Sequence, residues 1–143
     1  MTYVIAIPTH QRISILQTQT LLTLEKEGIE RSRIYIFVAE DEYAEYSASF
    51  PDYQVVVGEL GLIHQRTAIQ NYFPEGQHIL FVDDDILELD LLGKSLNYFI
   101  NEAFDKCVNS GSHLWSVYPV WNKFFRIKRP YMTTHLSFCV GTF

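Results

Sequence analysis

Residues 79–86 read Ile-Leu-Phe-Val-Asp-Asp-Asp-Ile, in which four apolar side chains run directly into three consecutive carboxylates. A short apolar run of this kind is typical of a strand that is buried on both faces of a parallel sheet. Open α/β sheets bind their ligands at the carboxyl ends of the strands. We therefore expect the acidic triplet to lie at the mouth of a crevice.

The acidic triplet, Asp83 to Asp85, has two interpretations. If the backbone stays extended there, Asp83 and Asp85 point to one side and Asp84 to the other. Two carboxylates on one side can hold a hard divalent cation such as Mg²⁺ or Mn²⁺, which could in turn bind a diphosphate. The alternative is that the three acids are a helix N-cap and first-turn charges, because Asp is favoured at both positions.

Short apolar segments alternate with longer amphipathic ones along most of the chain. The predicted strands are Tyr3–Ile7, Ile34–Val38, Gln54–Val57, Ile79–Val82, Leu114–Tyr118 and Leu136–Val140. The predicted helices run from about Ile13 to Glu27, over a short segment ended by Phe50-Pro51, over Leu62–Phe73 and over Leu89–Val108. Thr20 lies on the apolar face of the first helix. This alternation predicts an α/β fold, with a Rossmann-like, mainly parallel sheet and helices on both faces.

Composition favours one domain over residues 1–143. With 48% hydrophobic residues the chain can bury a substantial core. The net charge of −6 argues against a nucleic-acid-binding surface. Cys107 and Cys139 are too few for a disulfide framework and suit a reducing compartment. Neither a signal peptide nor a stretch of membrane-spanning length is visible, so a cytoplasmic protein without a transmembrane segment is expected.

Four blocks in order carry a resemblance. They are Ile-Pro-Thr-His-Gln-Arg at 7–12, Ala-Glu-Asp-Glu at 39–42, Gly-Leu-Ile-His-Gln-Arg-Thr-Ala-Ile-Gln-Asn at 61–71 and Phe-Val-Asp-Asp-Asp at 81–85. Together they resemble a GT-A glycosyltransferase over about residues 3–90. The resemblance is closest to the compact enzymes found in phages and large DNA viruses.

In that family an Asp-x-Asp element binds a nucleotide sugar, and a metal ion bridges to the diphosphate. The resemblance implies that Asp85 is a metal ligand, together with Asp83, which would also contact the ribose or uracil side of the donor. Asp84 would be the intervening residue, nearer the sugar. The implied cofactor is Mn²⁺, or Mg²⁺ in its place.

The resemblance assigns further nucleotide-binding residues outside the triplet, namely Pro8, Thr9 and Arg12 in the first loop, Asp41 or else Glu40 near the base, and Arg66 toward the phosphates. Other interpretations remain open for them. Arg12 could begin the first helix on the surface, Arg66 could pair with an acid, and the acidic turn at 40–42 could supply a helix cap.

The expected function is a metal-dependent glycosyltransferase that transfers a sugar from a nucleotide sugar to an acceptor. The expected donor is a UDP-sugar. The acceptor, whether glycan, lipid, protein or nucleobase, is not defined, and no catalytic base can be named. One alternative is a sugar-phosphate nucleotidyltransferase, although no Gly-rich phosphate loop follows Ile7. Another is a non-catalytic, truncated nucleotide-binding domain. Because residues 139–143 are apolar, we expect an incomplete acceptor half, so that the chain binds donor better than it transfers sugar.

Overall fold

A computed structural model describes residues 2–89, 91 and 93–117. The strands are β1 Tyr3–Pro8, β2 Ile34–Val38, β3 Gln54–Val57 and β4 His78–Phe81. The helices are α1 Ile13–Leu16, α2 Leu22–Lys26, α3 Tyr43–Ser49, α4 Leu62–Tyr72 and α5 Leu96–Asn109. A π-helical turn, Gln17–Leu21, joins α1 to α2, and 3₁₀ turns cover Arg31–Arg33 and Glu40–Glu42.

The four strands form one parallel sheet in the order β3-β2-β1-β4. Ile5 at the centre of β1 lies opposite Ile34 of β2 and Leu80 of β4. The predicted α/β class is therefore confirmed. The chain builds outward from β1 to β3 and then returns to the other side of β1. Such a reversal of strand order opens a crevice at the carboxyl ends of the two strands that flank it, which here are β1 and β4.

Helices cover both faces of the sheet, as the alternation predicts. Odd-numbered residues of β1, such as Ile5, belong to a core that also contains Leu24 of α2, Tyr46 of α3 and Ile100 of α5. Even-numbered Ala6 belongs to the second core, where β2 and β4 contribute Phe37, Ile79 and Phe81 and α4 contributes Ile69. Burying each large apolar side chain stabilises the fold by roughly 1.5–3 kcal/mol.

The first helical segment runs without a break over residues 13–26, close to the predicted span. Its π turn was not predicted. The turn carries one extra residue relative to an α-helix, and two adjacent side chains in it, Thr20 and Leu21, are both buried. Gly28, just beyond the end of the segment, has a φ of 74°, which is readily adopted only by glycine among common residues.

The predicted start of the last helix is wrong. We expected a helix from Leu89, but α5 begins at Leu96. Gly93 adopts a φ of 79°, which interrupts a helix, and the Ser95 side chain accepts a hydrogen bond from the Tyr98 N–H as the N-cap. Leu89 instead packs against the main core from a segment without helical structure.

Two other expectations concern the end of the chain. The predicted strand from Leu114 is not formed over residues 114–116, and Val117 makes only an isolated bridge. Trp115 packs edge-on against Phe104, with 5.3 Å between ring centroids. Tyr118 and the predicted strand Leu136–Val140 lie outside the described residues, as does Leu92.

Among the described residues, none of the helices has the length and the apolar character that a membrane span requires.

Candidate functional site

The loop after β1 meets the acidic triplet after β4 at the crevice. Asp84 accepts two side-chain hydrogen bonds there, from Thr9 Oγ1 to its Oδ2 and from Arg12 Nη1 to its Oδ1, each at 2.7 Å. The Asp84 residue is only 6% exposed. Since Thr9 and Arg12 follow β1 and Asp84 follows β4, these two bonds connect the ends of the two strands. The guanidinium also offsets the charge of the buried carboxylate.

The other two carboxylates of the triplet remain accessible. The Asp83 side chain is 41% exposed and that of Asp85 is 48% exposed, although Asp85 Oδ2 lies 3.5 Å from Arg12 Nη1. Asp84 is buried between two accessible neighbours, but residues 84 and 85 form a turn, so the extended backbone on which the expected alternation depended is not present. The helix-cap interpretation of the triplet is wrong, because the next helix begins only at Leu96.

Asp83 lies beside one guanidinium and two other carboxylates. Burial raises the pKa of the Asp83 carboxyl above its ordinary value; the Arg66 guanidinium lowers that pKa, and the carboxylates of Asp85 and Asp84 raise it. Arg66 Nη2 is 3.8 Å from Asp83 Oδ1, so this cation sits at the edge of ion-pair distance. The net upward shift follows mainly from burial, which outweighs the effect of the nearby guanidinium.

Arg66 also carries an unused hydrogen-bond donor. Its Nε is buried and has no hydrogen-bond partner among the residues that the structure describes. A buried N–H without an acceptor costs free energy, and a guanidinium is well suited to binding phosphate oxygens. The preceding residue, Gln65, is buried and accepts a hydrogen bond from the Glu59 N–H at 2.6 Å, which fixes the start of α4 against the end of β3.

A second buried carboxylate holds the other side of the loop after β1. Glu42, 8% exposed, places Oε2 at 2.7 Å from His10 Nδ1 and accepts the Gln11 N–H on Oε1 at 2.7 Å. The Tyr46 hydroxyl accepts the Arg12 N–H at 3.0 Å. Gln11 has a φ of 54°, a left-handed conformation that few residues other than glycine adopt. Strained backbone of this kind clusters at functional sites.

The backbone of the acidic turn is held by a threonine of the π turn. The Thr20 hydroxyl donates to the Asp83 carbonyl at 2.7 Å and accepts the Ile86 N–H at 2.8 Å. Thr23 Oγ1, on the next helical turn, lies 3.1 Å from the carbonyl oxygens of Ile86 and Leu87.

The structure brings together most of the residues proposed from the sequence, namely Thr9, Arg12, Arg66 and the three aspartates. Pro8 ends β1 directly before this loop. Arg12 is the N-cap residue of α1 with a side chain 44% exposed, as the surface interpretation expects, and it also pairs with Asp84. Asp41 and Glu40 are exposed in the turn after β2, and neither forms an ion pair or side-chain hydrogen bond within the described ranges.

Three contributing side chains were not assigned to the site from the sequence: Glu42, Tyr46 and Thr20. Glu42 stands beside two other acids, and the sequence does not distinguish which of the three turns inward. Tyr46 follows on α3 with no local signal for its role. Thr20 did carry a signal, since a hydroxyl within an apolar helical stripe requires a hydrogen-bond partner.

Within the part of the chain that the structure describes, no group of three or more His, Cys, Asp and Glu side chains is arranged to hold a metal ion. Asp83 and Asp85 offer two accessible carboxylates. Mg²⁺ is commonly held by one or two carboxylates, with substrate phosphates and waters completing its coordination. The accessible carboxylates of Asp83 and Asp85 fit a cation, and the guanidinium of Arg66, whose side chain is 41% exposed, fits a phosphate.

Comparison of the chain with known protein families, with curated proteins and with solved structures finds no match.

Proposed function

We propose that the protein is a metal-dependent glycosyltransferase that binds a nucleotide sugar at the carboxyl edge of its sheet. The proposed donor is a UDP-sugar. One observation carries the proposal. At the point where the strand order reverses, β4 delivers three carboxylates against the loop after β1, and only Asp84 is committed to the fold. The remaining pair, Asp83 and Asp85, is accessible at the edge of the sheet where parallel sheets bind their ligands.

Charge determines how a diphosphate can bind there. Two carboxylates repel a diphosphate, so a divalent cation between them is needed to make the approach favourable. When bound, such a cation supplies Lewis-acid stabilisation of the negative charge on the leaving diphosphate. The guanidinium of Arg66, whose side chain is 41% exposed, adds a charge-assisted hydrogen bond to the phosphate oxygens. The strained loop containing Thr9 and Arg12 then lines the nucleotide.

The proposal predicts that UDP binds more tightly with Mn²⁺ than with EDTA. Asp85→Asn should remove most of this difference, weakening binding in Mn²⁺ by about tenfold or more, or about 1.4 kcal/mol. Isothermal titration calorimetry of the wild type and the variant, each with Mn²⁺ and with chelator, provides the measurement.

Glu102→Gln is the matched control for this experiment. Glu102 lies on α5 and pairs with Lys94 and Lys106, so the same acid-to-amide change is made away from the crevice. Its UDP affinity should keep the wild-type dependence on Mn²⁺. Equal UDP affinity of the wild type in Mn²⁺ and in EDTA would contradict a metal-bridged site.

Activity assays separate the remaining alternatives. Mn²⁺-dependent hydrolysis of a UDP-sugar, measured as release of UDP, supports a transferase and argues against a domain that only binds nucleotide. Pyrophosphate-dependent exchange into the nucleotide sugar would instead indicate a nucleotidyltransferase. A panel of nucleotide sugars in the same assay identifies the donor.

A further inference from the structure

Thr20 is a buried polar side chain on the apolar face of the first helical segment. Its exposed fraction is 0%, and the neighbouring positions on the same helical face, Leu16 and Leu24, are also buried. A hydroxyl in such a position is unfavourable unless it is hydrogen-bonded. Thr20 also lies inside the π turn, and π turns within helices are frequent at functional sites.

The hydroxyl of Thr20 bridges the two ends of the acidic turn. The carbonyl of the first residue and the N–H of the fourth are the two groups that close a four-residue turn. In the turn from Asp83 to Ile86, these two groups bond to the same hydroxyl, at 2.7 and 2.8 Å. Asp84 and Asp85 occupy the two central positions. One side chain therefore fixes the backbone on both sides of Asp85.

Thr23 adds a weaker contact of the same kind. Its hydroxyl lies 3.1 Å from each of two carbonyl oxygens, those of Ile86 and Leu87, and can donate only one proton. Thr20 and Thr23 stand three positions apart and so lie on the same side of the helix. The helical segment therefore presents two hydroxyls to one turn, and only that of Thr20 contacts both a carbonyl and an N–H.

We propose that Thr20 is a positioning residue for the cation site: its hydroxyl fixes the backbone of the acidic turn that carries the Asp83 and Asp85 carboxylates. This inference rests on the proposed function. Thr20 does not touch the cation or the nucleotide; it acts through the backbone of the turn. Groups that orient metal ligands in this way typically contribute about 10- to 100-fold to metal affinity.

Thr20→Val tests the proposal because valine keeps the shape of threonine and removes only the hydroxyl. We expect UDP affinity in Mn²⁺ to fall by about 10- to 100-fold, with little change in EDTA. Thr20→Ser keeps the hydroxyl and should retain most of the affinity. Thr18→Val is the matched control, because Thr18 lies in the same π turn but is exposed and donates only to the Ser14 carbonyl.

A second readout needs neither metal nor nucleotide. The Ile86 amide should exchange its proton slowly in the wild type, in Thr18→Val and in Thr20→Ser, and faster in Thr20→Val, as followed by NMR on folded protein. Wild-type affinity together with slow Ile86 exchange in Thr20→Val would overturn the proposal. An equal loss of affinity in Thr20→Ser would also overturn it, because packing of the methyl group would then be responsible.

The two readouts separate the two proposals. If the wild type shows no Mn²⁺-dependent UDP binding, the proposed function fails, and the role of Thr20 toward a cation fails with it. Hydroxyl-dependent exchange at Ile86 would in that case still identify Thr20 as the residue that holds the turn. If Thr20→Val does not fold, Thr23→Val replaces it, with a smaller expected loss of Mn²⁺-dependent affinity because only the Ile86 or Leu87 carbonyl contact is removed.

Discussion

At the scale of single residues, three identical side chains in a row have different environments. Asp84 is buried and bonded on both oxygens, whereas Asp83 and Asp85 are about half exposed. The expected alternation assumed an extended backbone, whereas residues 84 and 85 form a turn. Local sequence could not predict that Asp84 would be the fixed member, because its partners Thr9 and Arg12 lie more than seventy positions away and meet it only through the sheet.

Gly58 is a second position where the local environment of one residue determines which side chains are tolerated. A Cβ at residue 58 would lie 2.0 Å from Gln65 Oε1, the atom that accepts the Glu59 N–H. We expect Gly58→Ala to lower the free energy of unfolding by about 1–2 kcal/mol, because the Gln65 side chain must move and its hydrogen bond is lost. Urea denaturation of both proteins measures the difference.

The control for Gly58→Ala is the same change in a Gln65→Ala background. There the obstructing side chain is absent, so the added methyl group should cost much less and the two substitutions should be non-additive. An unchanged cost in the double variant would show that Gln65 is not the cause.

At the scale of elements, one surface cluster fixes the connection after α2 against the chain leading into β3. Glu25 of α2 accepts hydrogen bonds from the Tyr53 hydroxyl at 2.8 Å and from Arg31 Nε at 2.9 Å. Arg31 also pairs with Asp52 at 2.7 Å. The hydrogen bond from Tyr53, followed by that from Arg31, lowers the pKa of the Glu25 carboxyl, while burial and the hydrogen bond to Glu25 raise the pKa of Tyr53 to about 12.

This cluster predicts a pH-dependent contribution to stability. Because the folded-state pKa of Glu25 is lowered, its contribution is present above the unfolded-state pKa of about 4.3 and is lost as the pH falls through the folded value. We expect Glu25→Gln to destabilise the protein by a few tenths of a kcal/mol at pH 7, since the group is well solvated. Thermal unfolding should give converging midpoints for variant and wild type near pH 3.

Glu75→Gln serves as the comparison, because Glu75 is exposed and forms no ion pair or side-chain hydrogen bond with the described residues. Its unfolding midpoint should match that of the wild type at both pH values. A constant offset between Glu25→Gln and the wild type from pH 7 to pH 3 would show that ionisation of Glu25 does not contribute.

Element boundaries illustrate what local sequence can and cannot define. The predicted spans of β2 and β3 agree with the structure residue for residue, because β-branched and aromatic runs bounded by turn residues define strands locally. The start of α5 was wrong because apolar residues near Leu89 continue the helical pattern, whereas Gly93 and Ser95 end it. Thr20 of the π turn bonds to a turn that is distant in sequence, and local sequence does not specify such a contact.

At the scale of the whole molecule, the class of fold was predictable but the order of the strands was not. Alternating strands and helices predicted a parallel sheet with helices on both faces, and this is confirmed. The place of β4 beside β1 is set by pairings between distant segments, such as Tyr3 opposite His78, and local periodicity carries no information about them. That placement is what brings the acidic triplet to the loop after β1.

The central position of β1 predicts where the fold is most sensitive to substitution. Ile5 is fully buried and lies between β2 and β4, so Ile5→Ala should lower the free energy of unfolding by about 2–5 kcal/mol. Val57 ends the edge strand β3 and is 46% exposed, so Val57→Ala should cost less than about 1 kcal/mol. Urea denaturation checks both, and equal losses would contradict a core centred on β1.

The strand order also has a consequence for synthesis of the chain. β1 leaves the ribosome first, yet one of its two neighbours in the sheet, β4, emerges roughly 4 to 15 s later at ordinary rates of translation. During that interval the β4-facing edge of an apolar strand is open, and open edges can pair with other chains. Thr9 and Arg12 are likewise made long before Asp84, so the crevice is assembled only when the fourth strand joins the nascent sheet.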